Sequence, residues 1–172
     1  MKPLLFLDTE TTGLTPQDRL CQVAFLAEGQ EMQSQYFLPP IPVCLDAMMV
    51  NHITNKFLAD KEVFQSSMMF AKLASLLQTH TLVAHNASFD IGMLEREGLK
   101  VPSYICTKKV AKHLDLAPKN NLQYLRYALE LDVPNLDSAI AHTAEGDVQV
   151  LVALFEHCRK QMTPEVMIKV SL

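Results

Sequence analysis

The sequence predicts an α/β layer structure around one mixed sheet in a single domain spanning residues 1–172. Three observations carry that expectation. A continuous apolar run at residues 4–8 reads as a central strand. Two further β-type runs, 20–27 and 32–38, precede any helical pattern. From residue 64 onward, helical patterns alternate with two more short strands.

The first run, Leu4-Leu5-Phe6-Leu7-Asp8, suits a strand buried on both faces, because it is apolar without alternation. Between strands two and three, Glu28-Gly29-Gln30-Glu31 is polar and carries a glycine, so it can turn. Pro39 and Pro40 end the third strand, since proline cannot donate to a ladder. Residues 64–79 read as a helix with apolar positions at Phe64, Met68, Ala71, Leu73, Ala74, Leu76 and Leu77. Residues 81–84 form strand four, 89–97 a helix, and Pro102 breaks the chain before strand five at 104–106. Helices follow at 107–114 and 121–131, with Asn120 or Asn121 as a cap. The last long helix runs from about Thr143 to about Met162.

The composition agrees with one folded domain. It is 49% apolar and 20% charged, with five glycines and nine prolines, which excludes disordered and collagen-like classes. No uncharged apolar run approaches the roughly 18–20 residues of a membrane span. The apolar start is too short for a signal peptide and lacks a small-residue cleavage site, so a cytoplasmic setting with no membrane is expected. The cysteines, Cys21, Cys44, Cys106 and Cys158, form no C-x-x-C pair; Cys21, Cys106 and Cys158 sit in apolar surroundings, so buried small hydrophobes in a reducing compartment are expected rather than zinc.

Several carboxylates stand where a plain core would not put them. Asp8 ends the buried strand, and Glu10, two residues on, faces the same side. Two such acids repel and need a cation, a shared proton or basic partners; the alternative is a solvated strand end. Asp147 falls three and four residues before Val150 and Leu151, on the core-facing stripe of the last helix. The helix dipole favours an anion there, so a plain helix-start acid is the other reading. Asp90 follows strand four in His85-Asn86-Ala87-Ser88-Phe89-Asp90, with Ser88 the better cap candidate. His142 and Asp147 lie about 140° apart on a continuous helix, so His142 must precede the helix if both act at one site. Four carboxylates from three segments plus one histidine fit two-metal phosphoryl-transfer chemistry, with two divalent cations, Mg²⁺ or Mn²⁺, and a histidine taking a proton from water.

These motifs resemble those of the DnaQ-like, or DEDDh, 3′→5′ exonucleases. Asp8, Glu10 and Gly13 match the first motif, residues 85–90 the second, and His142, Ala144 and Asp147 the third. Asn51-His52-Ile53-Thr54 is similar to the family's H-x-I-T segment, and the match covers about residues 4–160. Residues 104–111 and Thr163-Pro164-Glu165 look closest to the exonuclease X type, beside the proofreading epsilon type. The resemblance implies a ribonuclease-H-like fold: a mixed five-stranded sheet, three antiparallel strands then two parallel, flanked by helices. It also implies roles. Asp8, Glu10, Asp90 and Asp147 would bind metal, with Asp8 bridging, and His142 would be the general base. Thr11, Leu14, His52, Ile53, Asn86 and Phe89 would contact the terminal nucleotide, with core packing as the alternative for Leu14, Ile53 and Phe89.

The implied substrate is nucleic acid with a free 3′ end, DNA favoured over RNA. A DNA polymerase or a second copy of the chain is the implied partner class, and no residue decides between them. An exoribonuclease of the same family and a non-catalytic binding module are the rival readings. The net charge of −4 does not oppose a nuclease, because setting aside Asp8, Glu10, Asp90 and Asp147 leaves 15 acids against 15 bases. Lys108, Lys109, Lys112 and His113 form either a local basic face or a solvated helix face.

Overall fold

The computed structural model describes residues 2–133 and 143–172. His142 lies outside the described residues. Five strands form one sheet in the order β3-β2-β1-β4-β5. The strands are β1 (Leu4–Thr11), β2 (Leu20–Ala27), β3 (Gln33–Tyr36), β4 (Thr81–Ala84) and β5 (Tyr104–Cys106). β1–β2 and β2–β3 pair antiparallel, β1–β4 and β4–β5 parallel, which is the mixed arrangement expected.

Eight α-helices are found among the described residues: α1 (Leu45–Asn51), α2 (Asn55–Leu58), α3 (Met68–Thr79), α4 (Ser88–Arg96), α5 (Thr107–His113), α6 (Leu122–Ala128), α7 (Ala144–Arg159) and α8 (Pro164–Ser171). The alternation of β1 divides the core in two. Leu4 and Phe6 pack with Leu151, Leu154 and Phe155 of α7, with the Phe6 and Phe155 rings 5.3 Å apart edge to face. Leu5 and Leu7 pack on the other face with Leu73 and Leu77 of α3 and Met93 and Leu94 of α4. β1 is thus buried from both sides, as its unbroken apolar run requires. None of the helices among the described residues is long and apolar enough to cross a membrane.

The structure corrects several boundaries. β1 continues to Thr11, because Thr9 and Glu10 still pair with Val23 and Gln22 of β2. β3 is shorter than 32–38, and α6 ends at Ala128. The helix expected at 64–79 is a 3₁₀ turn, Phe64–Ser66, and then α3. Ser67 separates them, its hydroxyl accepting from the Phe70 amide, and that cap sets the helical phase. Met69, Leu73, Leu76 and Leu77 turn inward while Met68 and Ala71 face solvent. Ser88 is the first residue of α4 and not its cap; Ala87 holds that position in a helical conformation with no side-chain cap. Asn121 caps α6 by position, also without a side-chain bond. Cys21, Cys106 and Cys158 are buried and all four thiols are free. Burial and then the Glu10 charge push the Cys21 thiol up to about 12, which keeps it unreactive.

Candidate active site

The period of two along β1 directs its acids. Leu4 and Phe6 face α7, so Asp8 and Glu10 face that layer too, while Thr9 faces the other. β4 pairs with β1 only through Phe6, so the second half of β1 runs beyond it. α4 begins just after β4, and its first turn meets β1 there: Thr9 Oγ1 donates to Asp90 Oδ1 at 2.9 Å. Asp90 is 3% exposed, a buried acid on the layer opposite Asp8. Asp147 stands in the first turn of α7, whose start is fixed by Thr143 Oγ1 accepting from the Gly146 amide at 3.2 Å. Gln123 Nε2 of α6 donates to Asp147 Oδ1 at 2.5 Å.

The four acids feel one another. Burial, then the charges of Asp90, Asp147 and Glu10, hold Asp8 well above the usual carboxylate range. Burial and then Asp147 push Glu10 up to about 8, against an opposing hydrogen bond from Asn51. Burial pushes Asp90 up to about 7 despite the Thr9 donor. At neutral pH the cluster keeps protons or takes up cations. Its donors are all carboxylate oxygens, which suit a hard divalent cation. Among the described residues no three such side chains are drawn tightly enough to close on one metal ion.

A braced loop follows β1. Thr12 Oγ1, Thr15 Oγ1 and the Thr15 amide donate to the Asp18 carboxylate at 2.6, 2.6 and 2.7 Å. Burial opposes ionisation of Asp18, but these donors outweigh it and hold its carboxyl below the ordinary range. Arg96 Nη1 donates to the Asp18 carbonyl at 3.0 Å, and Arg19 pairs with Glu97 through two bonds of 2.6 and 2.7 Å. A Cβ on Gly13 would stand 2.7 Å from Asp18 Oδ2, so the motif glycine is a packing requirement. Gly13→Ala is expected to destabilise the protein by roughly 1–3 kcal/mol and to raise KM, read from urea melts and steady-state rates; unchanged values would refute this account of the loop.

Beside Glu10 and this loop lies a cleft of about 520 Å³, with Thr11, Leu14, Val50 and Asn51 among its lining residues. Leu14 is 85% exposed, so core packing does not explain it. Leu45, Met49 and Val50 leave α1 with an exposed apolar surface nearby. Thr11 is buried, its hydroxyl donating to the Gly13 carbonyl at 2.8 Å. Ile53 is packed into a small core with Cys21, Val43 and Leu58, and Phe89 lies half-buried against the α3–α4 core. His52 is exposed in a left-handed conformation after α1. Asn86 is exposed, and its Oδ1 accepts from Lys108 Nζ at 3.4 Å. These last four do not line the cleft.

Asn51, Val50 and Asp18 were not singled out by sequence. Asn51 stands inside the segment similar to H-x-I-T, and its amide donates to the Thr11 carbonyl at 3.2 Å, tying α1 to the end of β1. Lys109 is engaged by the Ser171 carbonyl at 2.6 Å, so the lysines of α5 are not a uniform free face. A larger cavity, about 680 Å³, lies between α7 and residues 129–133 and contains none of the four acids; chemistry rather than size places the site.

Known proteins resemble this chain along most of its length. The family model described as Exonuclease matches residues 5–155. The epsilon subunit of DNA polymerase III from Buchnera aphidicola (subspecies Acyrthosiphon pisum) is 31% identical over 162 residues, covering 81% of this chain and 67% of that protein. The Treponema pallidum epsilon subunit is 28% identical, covering 86% and 72%. Exonuclease X, solved in complex with 5′-overhanging duplex DNA, superposes with a TM-score of 0.80 at 28% identity, covering 98% of this chain and 99% of that one. A solved exonuclease I shares the fold, with a TM-score of 0.77 at 20% identity over 97% of this chain and 42% of its own. The arrangement common to these structures is the ribonuclease-H-like one.

Proposed function

The chain belongs to the exonuclease family, and from that premise we propose that it is a metal-dependent 3′→5′ exodeoxyribonuclease of DNA repair or proofreading. It removes nucleoside 5′-monophosphates from single-stranded or frayed ends. The observation that carries this reading is the convergence of Asp8 and Glu10, Asp90, and Asp147 from three separate segments, with Glu10 raised to about 8 and Asp90 to about 7. Such a cluster is costly unless a cation or protons offset it.

In this reading Asp8, Glu10, Asp90 and Asp147 hold two divalent cations, Mg²⁺ or Mn²⁺. Bound there, the ions stabilise negative charge developing on the scissile phosphate. The exposed Leu14 gives the terminal base an apolar contact, and Thr11 at the end of β1, with Gly13 of the braced loop, forms the cleft wall beside it. His142 takes the proton from the attacking water, an assignment that rests on its place in the motif. Water adds to phosphorus, the bond to O3′ of the preceding nucleotide breaks, and O3′ takes up a proton from solvent to become the new 3′-hydroxyl of the shortened strand. The departing nucleoside retains the 5′-phosphate.

DNA is favoured over RNA because the exonuclease X relative was solved with duplex DNA and the epsilon relatives are named for a DNA polymerase. That name also makes a polymerase the partner class to test, beside a second copy of the chain, in a cytoplasmic setting. The deciding experiment uses 5′-labelled single-stranded DNA and RNA of one sequence with Mg²⁺, Mn²⁺ or chelator. A metal-dependent ladder shortening from the 3′ end of DNA is expected. Cleavage of RNA alone would favour the exoribonuclease. No cleavage of either would overturn the enzymatic reading in favour of a binding module.

A further inference from the structure

We propose that Gln123 is a positioning residue for the carboxylate of Asp147, and that His85 fixes the helix from which Gln123 reaches. The inference rests on the reading of Asp147 as a metal ligand given above.

The contact itself is direct. Gln123 Nε2 donates to Asp147 Oδ1 at 2.5 Å, across two helices whose apolar residues Leu122, Leu125 and Leu151 share one core. A carboxylate in the first turn of a helix can rotate about two side-chain bonds. A donor held on one oxygen fixes the plane of the group and biases it toward one orientation. Asp147 is also one of the charges that raise Asp8 and Glu10, so its orientation bears on the whole cluster.

Gln123 can do this only if α6 is itself held. That helix has seven residues, and Asn121 at its cap makes no side-chain cap bond. Its entry is held from outside instead. His85 Nε2 is 2.8 Å from the Asn120 carbonyl oxygen, and His85 Nδ1 is 2.9 Å from Thr107 Oγ1. A carbonyl oxygen only accepts, so Nε2 carries the proton and Nδ1 accepts from the Thr107 hydroxyl. That hydroxyl has one proton, and its approach to the Ala84 carbonyl, 3.3 Å, is the longer of its two. The neutral ring therefore ties three places together: the end of β4, the start of α5 and the entry to α6. Burial, offset in part by the Asn120 carbonyl, keeps the ring neutral, pushed down to about 4. His85 thus gains a role that neither metal binding nor base contact supplies.

The test is Mn²⁺ affinity measured by titration calorimetry on the whole chain, beside steady-state rates on single-stranded DNA. Gln123→Met keeps the length of the side chain and removes the donor. It is expected to weaken Mn²⁺ binding about tenfold and to lower kcat, with KM for DNA within about twofold of the parent. His85→Ala is expected to act in the same direction. His85→Gln, which keeps a donor near the Nε2 position, is expected to restore most of the affinity. Combining Gln123→Met with His85→Ala is expected to add little to either alone, since both act through one contact. Unchanged Mn²⁺ affinity in Gln123→Met, with affinity lost in an Asp147→Asn control, would overturn the positioning role alone. Unchanged affinity in Asp147→Asn as well would mean that the metal-site reading has failed, and the proposal with it.

Discussion

Asp8→Asn is expected to raise the melting temperature of the metal-free protein while reducing its nuclease activity by about a thousandfold or more, which is about 4 kcal/mol of barrier at 1.36 kcal/mol per tenfold. The two effects have one cause. Burial and three neighbouring acids hold Asp8 well above the usual carboxylate range, so ionising it in the folded, metal-free chain is unfavourable. Asparagine keeps the shape and removes the charge. For a domain of this size each kcal/mol of relief shifts the melting temperature by roughly 2–4 °C. In Mg²⁺ the order reverses, because the parent gains binding free energy that the variant has lost. An ordinary buried residue would lose stability and activity together. Melting in chelator and in Mg²⁺ at pH 8, with rates on single-stranded DNA, makes the comparison. Retained activity, or a lower melting temperature in chelator, would sink the assignment of Asp8.

The same physics explains which parts of the fold could be read from sequence. The run Leu4–Leu7 identifies a strand buried on both faces because both cores draw on it, Phe6 toward α7 and Leu5 toward α3. Its true end at Thr11 was hidden, because Asp8 and Glu10 look like a solvated strand end while pairing with Ala24 and Gln22. β4 and β5 are short apolar runs flanked by helices, and their limits were legible. α1 was not, because a helix is recognised by an apolar face turned to a core, and Leu45, Met49 and Val50 are exposed. α8 starts with Pro164 at its first position behind Thr163, but its eight residues are about two turns, so the stripe through Met167 and Ser171 is too short to stand out in the sequence.

The site was legible as far as it rests on unusual residue types in ordered motifs. An acid closing an apolar strand and an acid on a core-facing helical stripe are local anomalies that one sequence displays. Asn51, Asp18 and Gln123 are not anomalies. Each is an ordinary polar residue, and its importance comes from contacts made by folding: Asn51 with the Thr11 carbonyl, Asp18 with Thr12 and Thr15, Gln123 with Asp147. Leu14 shows the converse. Its exposure, and not its chemistry, separates a cleft residue from a core residue, whereas Ile53, of equal hydrophobicity, is 4% exposed within the Val43–Leu58 core.

In chelator, stability is expected to fall by a few kcal/mol between about pH 4.5 and pH 8, and Mg²⁺ is expected to remove most of that fall. Glu10 rises from 4.5 to about 8 on folding and Asp90 from 3.8 to about 7, and Asp8 moves the same way. Below the unfolded values both states hold these protons, and the groups' contribution is fully present. As pH rises, the unfolded chain releases protons that the folded chain keeps, so stability is lost until the folded groups also ionise near pH 8. Asp18 runs in the opposite sense: its lowered value adds stability above the ordinary carboxylate range and loses it in acid. The metal-free protein should therefore be most stable near pH 5. A divalent cation competes for the same carboxylates, so its apparent affinity should climb with pH through this window and level off above about pH 8. Urea melts at pH 5, 6.5 and 8, in chelator and in Mg²⁺, measure both trends. A metal-free stability that rises from pH 5 to pH 8 would show that the four acids do not share one desolvated site, because burial and like charge would each make their ionisation oppose folding.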